Sequence, residues 1–479
     1  MTQNASPSPV VTTATGPVRG KREGAATEGQ VSAFLGIPYA APPVGPTAFA
    51  APTPHDSWSE VRDATDYGPT APQVGYPAPI AAILDNVIDP GDDYLNLNIW
   101  TPDEDATGLP VMVWIHGGAF ARGSNQIAIY DGSTFARDGV VCVGINYRLG
   151  IPGFGSVPGA PDNRGLLDQI AALEWVRDNI AAFGGDPDNV TIFGESAGAM
   201  SVASLLASPL AEGLFHRAAM ESGNGFTAAA VDDAHKVTAR VAEILGVDHT
   251  AEAFGKVSMD DLLQAQTQVA LELTVNPDPD VWGATITSIG LGVMSTFPVL
   301  DGTVLQDAPQ NAIGDGAGRG IPLLAGWNAD EFRFFFAPTG IVAAATPELA
   351  RGMIAKAGLP TDQFDERLAH GVSPGDALCE AITDLAFAAP TRALADLRPD
   401  SPTYLYEFRY SSPVADIRAG HAVELPFVFD RLDIAHALTG PEPDQSVAEA
   451  MHSAWVQFAK TGNPGWTVHA PGNEPHVFG

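Results

Sequence analysis

The chain has 479 residues, 45% of them hydrophobic, which is enough for a large core. Its 57 acidic and 24 basic residues leave a formal net charge of −33, which disfavours binding to a phosphate backbone. No apolar run approaches the roughly 20 residues that cross a bilayer, two cysteines allow at most one bridge, and no secretory-signal pattern opens the chain. Composition therefore predicts a cytoplasmic protein without nucleic-acid or membrane partners.

Gly and Pro are spread throughout the chain as turn markers, with no repeat and no internal boundary, and one domain is expected over 1–479. "LPVMVWIHGG" is an apolar run of strand length that ends at glycines, and "GVVCVGINYR" is another, with Cys142 as a buried thiol. "GLLDQIAALEWVRDNIAAFGG" has helical spacing and stops at a Gly pair. "NVTIFGESAGAMSVASLLAS" reads as a β-branched strand, a tight turn and a helix, and "FHRAAMESG" adds a short strand. Continuous apolar strands alternating with helices predict an α/β fold with a mostly parallel sheet covered on both faces. Helical stretches at about 224–311 and 333–397 interrupt the strand series ("GIPLLAGWN", "TYLYEFRY"), which suggests insertions over the end where such sheets place their sites. "SVAEAMHSAWVQFAKTG" is a last helix.

The turn "FGESAGA" contains G-x-S-x-G at Gly194, Ser196 and Gly198. A serine on a sharp strand-to-helix turn is exposed to substrate, and the helix N-terminus points N–H groups at developing negative charge. Gly117, Gly118 and Ala119, at the end of an upstream strand, offer backbone donors that a substrate can approach closely. An acid and a histidine should follow in chain order. His421, in "RAGHAVELPFVF", follows a strand and sits among small residues, whereas His116 lies upstream in the glycine loop and has a supporting part. Many carboxylates lie between Ser196 and His421, and only "IPLLAGWNADEF" follows a convincing strand. It presents Asp330 and Glu331 side by side.

"GGDPDNVTIFGESAGA" resembles the serine signature of the type-B carboxylesterases, the family that includes bacterial p-nitrobenzyl esterases and the cholinesterases. "FLGIPYAAPPVG", "LNLNIW", "VMVWIHGGAF", "NYRLG", "DNRGLLDQIAALEWVRDNIAAFGGDP" and "WVQFAKTGNP" are similar to family segments in family order, from about Val10 to Pro464. The resemblance implies the α/β-hydrolase fold and serine ester hydrolysis without metal or cofactor. "GWNADEF" is similar to the family's G-x-[NT]-x-D-E-G segment, which carries the triad acid to Glu331 and leaves Asp330 as a helix cap. "HAVELPF" is similar to H-G-x-E-[IL]-x-[FY], which supports His421. The resemblance further implies an oxyanion hole from the N–H groups of Gly118, Ala119 and Ala197, and a buried network joining Glu195 to Ser222.

Several positions depart from the family pattern. Tyr94 replaces a disulfide cysteine and Ala48 a common arginine, while Phe332 and Ala422 replace the glycines after Glu331 and His421. Phe332 and Phe335 are candidates for the pocket wall or for helix core. "APIAAILDNV" lacks the aromatic platform on which cholinesterases bind a cation. The expected substrates are small to medium, largely uncharged esters. Carbamate or amide hydrolysis by the same triad, a catalytically silent binding protein and an interfacial lipase are the alternatives. Oligomeric state is unreadable from the sequence, and a monomer is compatible with it.

Overall fold

The computed structural model describes residues 8–24, 30–290, 292–356 and 359–479. Its main sheet has ten strands: β1 (Lys21–Glu23), β2 (Val31–Pro38), β3 (Asn96–Thr101), β4 (Leu109–Ile115), β5 (Val141–Ile145), β6 (Gly185–Glu195), β7 (Arg217–Glu221), β8 (Leu323–Asn328), β9 (Thr403–Phe408) and β10 (His476–Phe478). In space they run β10-β9-β8-β7-β6-β4-β5-β3-β2-β1. Strands β4 to β10 pair in parallel, and β1, β2, β3 and β5 are joined by antiparallel pairs. A separate small sheet pairs Val10–Thr12, Pro17–Arg19 and Arg62–Asp63. The predicted parallel sheet is therefore present, with an antiparallel edge added.

The apolar run in β4 shows why the sheet is covered on both faces. Successive strand residues point to opposite sides, so Val111, Val113 and Ile115 enter one core while Met112 and Trp114 enter another. The first core includes Leu166, Leu173 and Val176 of the helix Arg164–Asn179 and Val202 of the helix Ala197–Ala207. The second includes Met451, Trp455 and Phe458 of the helix Gln445–Thr461. Cys142 and Cys379 are both free and buried. Among the described residues no helix is long and apolar enough to cross a membrane.

The stretch after β7 forms helices at Val231–Leu245, Met259–Val275 and Ala284–Gly290, as the spacing predicts. The stretch after β8 builds its own small core, with Trp327, Phe332, Ile354, Phe364, Leu378 and Phe387. Within it the helix Pro374–Thr383 runs into a π-helical turn, Asp384–Ala388, which helical spacing alone does not disclose.

Candidate active site

Register aligns the functional side chains. Glu195 of β6 pairs with Glu221 of β7, and Glu221 pairs with Gly326 of β8, so three neighbouring parallel strands end together. Ser196, Ser222 and the Asn328–Glu331 turn all leave the sheet at that carboxyl edge, where open α/β sheets place their sites.

Ser196 has φ 56° and ψ −122°, a sparsely populated conformation for a non-glycine residue, and it stands directly before the helix Ala197–Ala207. Such strain costs about 1–3 kcal/mol and persists only where the surroundings enforce it. Here the Ser196 N–H donates to Glu221 O at 2.9 Å. Gly198 packs so closely that a Cβ there would lie 2.0 Å from Ile115 O. Ser196 is partly exposed, whereas its neighbours Glu195 and Ala197 are buried.

The loop after β4 lies alongside. Gly118 has φ 113°, and a Cβ there would lie 2.2 Å from Arg122 O, so the turn requires glycine. Ala119 follows at φ 57°. Among the described residues none accepts a hydrogen bond from the N–H groups of Gly118, Ala119 or Ala197, and Gly118 and Ala119 are partly exposed. His116 supports this loop. Its Nδ1–H donates to Gly117 O at 2.8 Å, its ring stacks on Tyr147 at 4.5 Å, and the Tyr147 hydroxyl donates to His116 O at 2.7 Å. Burial pulls its pKa down to about 4, against the Gly117 hydrogen bond, so the ring is neutral.

Opposite charges meet at His421. Its Nδ1 lies 2.6 Å from Glu331 Oε2, and the other Glu331 oxygen accepts the Asn328 N–H at 2.8 Å. Its Nε2 lies 3.0 Å from Glu195 Oε1 but off the line of a hydrogen bond. Ser196 Oγ makes no hydrogen bond among the described residues. Three carboxylates, Glu195, Glu331 and Glu424, lie around the imidazole, and a fourth, Glu221, joins them through Glu195 and Glu424; none is more than 3% exposed. Four ionised carboxylates cannot share one dry site, so protons are retained. Burial pushes Glu195 up to about 7, with His421 opposing and Glu331 assisting. Burial, followed by Glu195 and Glu331, pushes Glu424 up to about 8. Burial and Glu424 hold Glu221 well above the carboxylate range. For His421 burial acts downwards, yet Glu195 and Glu331 outweigh it and raise the imidazole to about 9.

The structure corrects two expectations. Ser222 does not partner Glu195, because its hydroxyl donates to Glu424 Oε1 at 3.4 Å. The Asp330 side chain is not a helix cap, although the Asp330 carbonyl accepts the Arg333 N–H at 2.9 Å. The helix Arg333–Phe336 is capped by Phe332 without a side-chain bond, and Asp330 Oδ2 instead accepts the Ala419 N–H at 3.4 Å. Together with the Asp330 N–H bond to Ala419 O at 2.9 Å, this ties the acid turn to the histidine loop. Side chains missed from the sequence complete the network. The Asn328 side chain donates to Gly420 O and to Glu424, and Trp455 Nε1 donates to Glu221 Oε1 at 2.7 Å. Asn328 is the [NT] position, and Glu424 the Glu, of the two segments that located the acid and the histidine, so the signal was present.

The aromatic cluster divides. Phe332 is buried against Phe335, Phe336 and Phe387, and its N–H donates to the Thr383 hydroxyl at 3.3 Å, so it is core rather than pocket wall. Partly exposed Phe335 lies 5.2 Å from the His421 ring, and Phe387, from the π-helical turn, lies 5.3 Å from it. Ala422 adopts φ 66°, the left-handed conformation that the usual glycine would take without strain. Among the described residues no group of three or more His, Cys, Asp or Glu side chains is arranged to hold a metal ion.

A strained serine at a strand-to-helix turn, free backbone donors beside it and a buried acid–imidazole pair define an α/β-hydrolase. Comparison with known proteins gives the family. The profile of the Carboxylesterase family matches residues 7–473. The para-nitrobenzyl esterase of Bacillus subtilis is 39% identical over 95% of this chain and 90% of its own, and the phenmedipham hydrolase of Pseudarthrobacter oxydans is 36% identical over 92% and 88%. A Geobacillus stearothermophilus carboxylesterase superposes with a TM-score of 0.82 at 36% identity, covering 98% of this chain and 96% of that one. The chain belongs to the carboxylesterase family and is a type-B carboxylesterase, an ester hydrolase.

Proposed function

We propose that Ser196 is the nucleophile, His421 the general base and Glu331 the acid that orients it, acting through an acyl-enzyme on small to medium esters. The observation that carries this reading is the 2.6 Å contact between His421 Nδ1 and Glu331 at the same sheet edge where Ser196 is strained. The imidazole turns its Nε2 from Glu195 to the adjacent Ser196 hydroxyl and takes its proton as the oxygen attacks the ester carbonyl. The N–H groups of Gly118, Ala119 and Ala197 receive the oxyanion, each worth about 10²–10³ in rate. His421 then protonates the leaving alcohol, and water repeats the sequence to release the acid. Glu331 stabilises the imidazolium, and Glu195, Glu424, Ser222 and Asn328 hold the charges around it. Segments 224–311 and 333–397 shape the pocket within the single domain, the second supplying Phe335 and Phe387.

Ser196→Ala should lower turnover of 4-nitrophenyl acetate by roughly 10⁴ or more, and a serine-directed organophosphate should label the Ser196 peptide alone. Retained turnover would remove Ser196 from this role. A panel of acyl chains and leaving groups that includes an aryl carbamate then reads which bond is preferred.

A further inference from the structure

Among the described residues Arg122 has no anionic partner, in a chain where acids outnumber bases 57 to 24. Its side chain forms no ion pair or hydrogen bond among the described residues, and its Nε is buried with no acceptor. The buried Arg148 and Arg333, by contrast, are paired with Asp168 and with Asp376 and Asp416. Arg122 is also firmly placed. Its N–H donates to Gly118 O at 3.1 Å, and its Cγ lies 3.1 Å from where a Cβ on Gly118 would sit. The next residue, Gly123, is clamped by two 2.8 Å hydrogen bonds to the Gln73 amide. The guanidinium carbon lies 5.1 Å from the centre of the Tyr76 ring. The Tyr76 phenol lies in the field of both Arg122 and Glu195, although burial is the larger influence on it. Arg122 thus belongs to the loop that carries Gly118 and Ala119, with its guanidinium beside Tyr76, and both Arg122 and Tyr76 are partly exposed.

Packing alone accounts poorly for this arrangement. A methionine or leucine would cover Tyr76 without leaving a buried donor unsatisfied. We propose that Arg122 binds the carboxylate of an ester held at Ser196, so that the substrates include esters carrying one carboxylate beside the scissile bond. This rests on the ester-hydrolase reading and narrows its expectation of largely uncharged substrates. The net charge of −33 does not forbid it, because surface charges beyond about 8 Å are screened at physiological ionic strength while a contact pair is not. A guanidinium offers the fork that matches a carboxylate.

The test compares kcat/KM within matched pairs, 4-acetoxybenzoate against its methyl ester and 4-nitrophenyl hemisuccinate against 4-nitrophenyl butyrate, so that any folding loss cancels in the ratio. In Arg122→Gln the anionic-to-neutral ratio should fall at least tenfold for one pair, and Arg122→Lys should recover part of it. Unchanged ratios for both pairs would overturn the proposal. Calorimetric titration with the acid products, 4-hydroxybenzoate and succinate, reads the subsite without turnover: Arg122→Gln should weaken one of them at least tenfold, and equal binding of both would also overturn it. Failure of the ester-hydrolase reading looks different, since the wild type would then turn over none of the four esters while the titration still reports on Arg122.

Discussion

Glu331→Gln, set against Asp330→Asn, separates two adjacent acids whose roles the structure makes unequal. Glu331 is wholly buried, and one of its oxygens lies 2.6 Å from His421 Nδ1. The proposed mechanism makes this imidazole a cation in the transition state. An opposite charge about 4 Å away contributes about 4 kcal/mol at an effective dielectric constant of 20. Removing it should lower kcat by about a thousandfold, and by more if the amide reverses the tautomer, since the analogous change in a serine protease triad costs about 10⁴. Asp330 contributes one long hydrogen bond, to the Ala419 N–H at 3.4 Å, which an asparagine oxygen can still accept. Its loss is worth about 1 kcal/mol or less, so less than a tenfold effect is expected. The assay is 4-nitrophenyl acetate turnover at saturation, with active sites counted by organophosphate titration. A greater loss in Asp330→Asn than in Glu331→Gln would refute the assignment.

Further outcomes follow from the same geometry. A base must be neutral to accept a proton, and His421 is raised to about 9, so kcat/KM should climb with pH to half its plateau near pH 9. In Glu195→Gln that midpoint should move to lower pH, because one of the charges that raise it is gone, and an unmoved midpoint would remove Glu195 from the network. Glu195, Glu424 and His421 are all raised on folding, to about 7, 8 and 9, so the folded state holds more protons than the unfolded one. Their contribution to stability is complete below the unfolded values of 4.5 and 6.5 and is lost as pH rises through the folded ones, so Tm should fall between pH 5 and pH 9. Gly118→Ala places a Cβ against Arg122 O and should displace the loop proposed to hold the oxyanion. It should lower kcat by about 10² or more with a smaller change in KM, and an unchanged kcat would show that the added Cβ leaves the proposed donors in place.

The sequence by itself determined the fold class, because unbroken apolar strands such as "VMVWI" alternate with amphipathic helices, and that pattern satisfies only a sheet covered on both faces. It also placed the proposed nucleophile on a strand-to-helix turn, since G-x-S-x-G between a strand and a helix is a local backbone event. For the proposed acid, the residues alone led only to the strand end, and it was the family likeness that favoured Glu331 over Asp330. Tertiary structure decided what depends on distant partners. Ser222 meets Glu424 across 202 residues of chain, and Glu221 meets Trp455 across 234, separations that no periodicity reveals. Asp330 binds the histidine loop rather than a helix end for the same reason, 89 residues away. The aromatic run after Glu331 divides between core and site because burial is set by the segment folded against it, where a π-helical turn advances Phe387 onto His421. Local conformation is written in neighbouring residues, whereas a buried network of charges exists only once several strands end at one edge and exclude water together.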